Sequence, residues 1–364
     1  MVQYLEPRTD VPAKDDWSTG LILQDLRWGT RALGVVGLVA AAAAVACLFM
    51  PTTPGTIGAM SVLVLAALTC GLTPLIHWTG TRAERRGLLE QPWRRVRATA
   101  AEKQPEDVSD RLLLDGLVLK GWFDDLADMV LERQEVFVCG PDEHGKAVVR
   151  AAGLAKMENA VVDTGDYPAR ERVERPLGRP LDDPAVAGAH QGLRWGARAW
   201  LWAAVPAGAG GVLVLLSLFP LAPAGLVVGG LLLGAGLLGI PVSIEIGRWY
   251  RDAVTAVENS DRWTPVPITL FPWEPNQNVA GLAEMPGGLA LVQFVVTDLD
   301  VIANIADTGV MWIAGTHGDV IAVGVPRVRV LTFAVVQPDR DTPKEDPVPW
   351  IQRLRQPDLS GLPR

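Results

Sequence analysis

Leu26-Arg27-Trp28-Gly29, followed by Arg31-Ala32, returns as Leu193-Arg194-Trp195-Gly196 and Arg198-Ala199, and each time an uncharged apolar hairpin comes next. The two stretches stand 167 positions apart (194 minus 27), a register that runs without a gap from Leu26 to Gly80, which falls on Gly247. Within it Gly58 and Pro74 meet Gly225 and Pro241. Matched Ala or Leu in apolar helices carry little information, whereas Trp, Pro and Gly held in one register carry more. The chain therefore reads as an internal tandem duplication of a whole structural unit, with pseudo-twofold symmetry.

The segments 32–50, 58–78, 201–219 and 224–244 contain no Asp, Glu, Lys or Arg. Each is about 20 residues long, enough to cross roughly 30 Å of hydrocarbon as a helix. With 49% hydrophobic and 20% charged residues overall, the charge is segregated away from these segments, as in a membrane protein. The expected fold class is an α-helical integral membrane protein, four transmembrane helices as two hairpins, carrying two small α+β cytoplasmic modules.

Arginine sets the orientation, because basic flanks are retained in the cytoplasm. Arg27 and Arg31 precede the first helix, Arg82, Arg85 and Arg86 follow the second, Arg194 and Arg198 precede the third, and Arg248 and Arg251 follow the fourth. The turns between helices are short and uncharged. The expectation is a multi-pass protein of the plasma (cytoplasmic) membrane with both termini cytoplasmic. Trp28, Trp78, Trp195 and Trp249 share the arginine-rich ends and read as interface anchors. Pro74 and Pro241, near the cytoplasmic ends of the second and fourth helices, read as helix kinks. Glycines spaced by four, such as Gly225 with Gly229 and Gly230 with Gly234, predict close helix packing, within one chain or between chains.

Two further registers extend the repeat. Trp93, Arg95, Thr99, Ala100 and Glu102 align with Trp249, Arg251, Thr255, Ala256 and Glu258, while Phe137-Val138-Cys139-Gly140 aligns with Trp312-Ile313-Ala314-Gly315 and His144-Gly145 with His317-Gly318. Asp125-Leu126 falls on Asp298-Leu299. In the first module the second hairpin helix is expected to continue to about Lys103. Strands are expected at 112–119, 135–139, 147–155 and 159–162, with a short helix capped by Asp124. The second module reads as strands at 289–296, 310–314, 320–325 and 327–336 and a helix at 299–306. The domain plan is a tail at 1–25, hairpin 1 at 26–80, module 1 at 81–162, a flexible linker at 163–192, hairpin 2 at 193–247, module 2 at 248–338 and a disordered tail at 339–364. Residues 265–286, with Trp263, Phe271 and Trp273 among prolines, read as an addition that binds a partner or drapes over its own module. In the tail, Trp350, Ile351 and Leu354 are the residues able to dock.

Catalytic chemistry finds little support. His144 with Asp142 or Glu143, and His317 with Asp319, are the weak metal candidates, since imidazole and carboxylate suit zinc or iron. His-Gly is also an ordinary turn pair. Cys47, Cys70 and Cys139 form no CxxC, and no phosphate loop, nucleophile elbow or HExxH occurs. A net charge of -8 argues against nucleic acid. No cofactor is expected, and the partners are the lipid bilayer together with a protein partner or a homo-oligomer. The reading is a non-catalytic membrane protein whose duplicated modules form a binding or assembly platform. The alternatives are a small transporter or channel subunit, and a membrane-bound metal-dependent enzyme or sensor.

Overall fold

The computed structural model describes residues 2–102, 109–123, 126–171, 177–218, 222–273 and 278–337, without the side chains of 72–81. In chain order the elements are α1 (Trp17–Cys47), α2 (Pro54–Arg85), β1 (Arg94–Ala100), β2 (Asp110–Leu114), β3 (Leu117–Gly121), α3 (Ala127–Arg133), β4 (Glu135–Cys139), β5 (Lys146–Arg150) and β6 (Glu158–Asp163). Then come α4 (Pro184–Gly196), α5 (Trp200–Leu218), α6 (Pro223–Glu258), β7 (Thr264–Leu270), β8 (Val279–Met285), β9 (Gly288–Phe294), α7 (Leu299–Thr308), β10 (Val310–His317), β11 (Val320–Gly324) and β12 (Leu331–Gln337).

Four helical stretches are long and apolar enough to cross a membrane: α1, the first part of α2, the stretch containing α4 and α5, and α6. They form a helical unit of Leu26–Trp78 and Arg194–Arg251. Small residues set their spacing. A Cβ on Gly236 would lie 2.5–2.7 Å from Ala207 atoms, and one on Gly229 2.9 Å from Leu213. These glycines are thus consumed by α5–α6 packing inside one chain. Gly208, Gly211, Gly230 and Gly234 have nothing within 4 Å. Large apolar side chains such as Leu38, Val205, Leu231 and Leu238 are exposed on the same helices.

The remaining described residues form a second unit that holds two closed six-stranded barrels. The first closes in the order β1-β2-β3-β6-β5-β4 and the second as β7-β8-β9-β12-β11-β10, every seam antiparallel. The two orders are the same, and so are the registers. Arg94 faces Val138 as Thr264 faces Ile313, and Ala100 faces Leu112 as Leu270 faces Gly281. Leu119 faces Val162 as Val292 faces Val336, and Lys146 faces Val161 as Val320 faces Val335. One helix, α3 or α7, bridges the third and fourth strands of each barrel, and one cluster of buried side chains runs through both.

Closure explains why the modules are barrels with one helix each and not small open α+β sheets. The first strand of each pairs with one neighbour along its first half and another along its second: Arg94–Arg97 with β4, then Ala98–Ala100 with β2. A single strand joins both ends of the sheet and no full-length edge is left.

Several expectations are corrected by this geometry. The helix from α2 does not reach Lys103: it ends at Arg85, Gly87 takes a left-handed φ of 72, and β1 follows. Val96, Ala98 and Ala100 alternate into the core with a period of two. The strand expected at 112–119 is a hairpin, with Leu114 paired to Leu117 across Asp115-Gly116. Residues 265–286 are not an addition; they supply β7 and β8, the counterparts of β1 and β2. Trp93, which immediately precedes β1, therefore corresponds to Trp263 before β7, and both are buried. Trp249 lies within α6 instead. The prolines hid β7. Val266 and Ile268 point into the core, and Ile268 N donates to Gly309 O, so Pro265 and Pro267 fall where a missing N–H faces away from β10.

Two stretches expected to be loose are built in. In 1–25, Leu5 and Ala13 are buried and α1 begins at Trp17. In 163–192, Ala169 bridges to Ala101 and α4 starts at Pro184. Asp124 and Asp125, and the tail with Trp350, Ile351 and Leu354, lie outside the described residues.

Candidate interaction surfaces of the barrel unit

Arg150 on β5 is fully buried and reaches the start of α1. Its Nη1 donates to Ser18 Oγ at 2.9 Å and lies 3.3 Å from Asp16 Oδ2, while Nε donates to Leu154 O at 2.5 Å. Asp16 Oδ2 also accepts from Ser18 Oγ (2.6 Å), Thr19 N (3.0 Å) and Thr19 Oγ1 (2.8 Å), and Trp93 Nε1 donates to Thr19 Oγ1. Burial lowers the Arg150 pKa, with Asp16 as the first opposing influence. A buried ion pair wrapped in hydroxyls holds register more than it adds stability. Here it fastens the start of α1 to β5.

A second polar cluster joins the barrels at the start of α7. Asp298 caps the helix, accepting from Asp300 N and Val301 N. Asp300 accepts from Ala155 N (2.6 Å) and Lys156 N (2.9 Å), both from the segment between β5 and β6. Asn304 accepts from Leu5 N and donates to Gly153 O and Asp300 O. Desolvation is the chief cause raising the Asp300 pKa, opposed by those two backbone donors. Arg327 pairs with Glu132 across the same junction, and Arg133 of α3 pairs with Glu6 of the N-terminal segment.

Outside the barrels the two halves of each sheet differ. Beta strands β4, β5, β11 and most of β12 are buried on both faces. Strands β1–β3 and β7–β9 alternate between the core and the outside. Equivalent outward positions carry different chemistry. Barrel 1 presents Arg95, Arg97, Arg111 and Lys120 where barrel 2 presents Pro265, Pro267, Ala280 and Gln293. Arg95 meets Glu135 at 2.6 Å and Arg111 meets Asp163 at 3.0 Å. Next to Lys120, Trp122 is 63% exposed.

His144 sits in the β4–β5 turn, where Asp142 Oδ1 accepts from His144 N and Lys146 N, and its ring is exposed. His317 ends β10, paired with Val320, so the two histidines are not equivalent positions. Among the described residues no group of three or more His, Cys, Asp and Glu is arranged to hold a metal. Cys139 is buried, its thiol pushed up to about 12 by desolvation. A groove of about 370 Å³ beside the end of α6 is lined by Asn259, Ser260, Asp261, Thr264 and Thr316.

Arg27, Trp28 and Arg31 are exposed on α1, as are Arg194, Trp195 and Arg198 near the end of α4 and just after it; Arg198 stacks 5.0 Å from the Trp195 ring. Trp249 is partly buried in α6, which continues through Pro241. The helix α2 continues through Pro74 and Trp78, whose side chains lie outside the described residues. Residues that sequence reading missed are Arg150, Asp16, Asp300 and Asn304. Arg150 and Asn304 were signalled only as lone polar residues in apolar stretches, and Asp16 and Asp300, which stand among other polar residues, carried no signal at all. Comparison of the chain with family models, curated proteins and solved structures gives no match.

Proposed function

We propose that this chain is an integral protein of the plasma (cytoplasmic) membrane, with both termini and both barrels cytoplasmic. It would descend from an internal tandem duplication with pseudo-twofold symmetry, and the barrels would serve as a non-catalytic platform for a protein partner. The shared strand order and registers support the duplication, and the arginines flanking the apolar helices support the orientation. One observation carries the platform reading: apolar side chains fill both barrels and one half of each sheet is covered, so the outward faces of β1–β3 and β7–β9 are what remains to act.

On barrel 1 the open face offers Lys120 with exposed Trp122 two residues further on, chemistry that suits an acidic surface with an apolar pocket. Cross-linking mass spectrometry on native membranes tests the reading. A partner cross-linked near Lys120 should be lost in Trp122→Ala and Lys120→Glu while the thermal melt is unchanged. A partner-free monomer in cross-linked membranes and in mild detergent would overturn it.

A further inference from the structure

The hairpin β8–β9 is longer than its counterpart β2–β3. Ala98 faces Leu114 as Ile268 faces Ala283, yet Leu114 closes its hairpin against Leu117 while the β8–β9 ladder runs on to Met285 and Gly288. The end of β8 therefore overhangs the point where β7 and β8 stop pairing, at Ile268 and Ala283. Pairing stops there for a local reason. Ile268 N donates to Gly309 O on the β10 side and Phe271 N donates to Ala280 O on the β8 side, so the N–H groups of β7 alternate between its neighbours. Pro265 and Pro267 stand at the phase that faces β8 and have no N–H to give.

The seam opens there into the groove of about 370 Å³. Val266, Met285 and Ile313 form its apolar part, and Ser260, Thr264 and Thr316 supply hydroxyls. Its charged members are Asp261 and Arg262, both exposed. Barrel 1 treats the matched place differently. Arg94 faces Val138 as Thr264 faces Ile313, so Gly140 corresponds to Gly315. A Cβ on Gly140 would lie 3.1 Å from Leu88 Cδ2, and Leu88 is buried. Beside Gly315 stands Ala256, a methyl where barrel 1 has a leucine. The groove is at the small end of the range for small-molecule sites, about 300–1,000 Å³.

We propose that this groove binds a free apolar α-amino acid of the size of leucine. One acid and one base line it, so the ligand that satisfies both carries one ammonium and one carboxylate. The last turn of α6 ends beside Asp261, and the partial negative charge of its carbonyls adds to that carboxylate. The ammonium sits on that side, where Arg179 also lies 3.7 Å from Asp261, and the guanidinium of Arg262 takes the carboxylate. The branched side chain covers Val266, Met285 and Ile313, as Leu88 covers Gly140 in barrel 1. This inference stands on barrel 2 alone and does not require the platform reading.

The test is calorimetric titration of the full chain in mild detergent with L-leucine, L-leucinamide and isocaproate. Leucine should bind saturably at one site. Leucinamide lacks the carboxylate and isocaproate the ammonium, and each should bind about tenfold more weakly, the ratio for a difference near 1.4 kcal/mol. Arg262→Gln should weaken leucine about tenfold and leave leucinamide unchanged. Met285→Trp fills the groove and should abolish leucine binding, whereas Asp115→Trp in the barrel 1 hairpin should not. Absence of saturable leucine binding, equal affinity for leucine and leucinamide, or leucine binding unchanged in both Arg262→Gln and Met285→Trp would each overturn it.

Discussion

Asp16 and Arg150 form a buried ion pair whose members are not equally replaceable. Without Arg150, Asp16 keeps three donors from Ser18 and Thr19; without Asp16, a guanidinium is left buried with Leu154 O and Ser18 Oγ. Asp16→Ala should therefore cost about 3–5 kcal/mol and Arg150→Met clearly less, measured by urea unfolding of the full chain in detergent. Equal costs would show that the hydroxyl shell does not carry Asp16. Cys139 behaves oppositely to a reactive thiol. Its folded pKa, pushed up to about 12, lies above the unfolded value of about 8.5, so the fold prefers the neutral thiol. The stability this represents is complete below the unfolded value and is lost as pH rises toward the folded one. The urea midpoint should fall in that alkaline window for the native chain and less for Cys139→Ala. Peptide mapping at neutral pH should find Cys139 unmodified by maleimide until urea unfolds the chain.

The helices that bridge the strands end alike but with different residues. After α3, Gln134 takes a left-handed conformation (φ 55), and after α7 the matched position is Gly309 (φ 68). A side chain there meets the carbonyl crowding that glycine avoids, so Gln134→Gly should stabilise barrel 1 by about 1 kcal/mol, read as a higher urea midpoint. A drop would mean that Gln134 makes contacts worth more than its strain. In the helical unit, Gly236→Val would drive a side chain into Ala207 and should cost about 1–3 kcal/mol. Gly234→Val meets nothing within 4 Å and should change the melting temperature little. If both fail alike, α5 and α6 are not packed through Gly236.

The two barrels share a buried cluster and a polar junction, so the native chain should lose both in one unfolding transition. Asn304→Ala leaves Leu5 N–H and Gly153 C=O without their partner. Each orphaned group costs about 1–3 kcal/mol, enough to separate the transition into two. Hydrogen exchange at β2–β3 and β8–β9 peptides, followed against urea, would resolve them. A single transition in the variant would place the coupling in the apolar contacts alone. A change confined to the junction should leave the helical unit unaffected, because its packing runs through Gly210, Gly229 and Gly236.

The four long apolar helices and the paired order of helical hairpin and soluble module were legible in the chain itself. They rest on local quantities: charge-free length, the recurrence of Leu-Arg-Trp-Gly, and the short apolar runs around Phe137 and Met311. The strands β1, β7 and β8 were not legible. Arginine in β1 stands on the outer face of the closed sheet and proline in β7 falls where its missing N–H faces away from β10, and both placements are set by closure, a property of residues far apart in sequence. The junction at Asn304, whose partner Leu5 lies 299 positions away, and the pair Arg150 with Asp16, 134 positions apart, have no local trace for the same reason. Composition and period are set by each segment alone; which buried polar atom meets which is decided only when the segments pack.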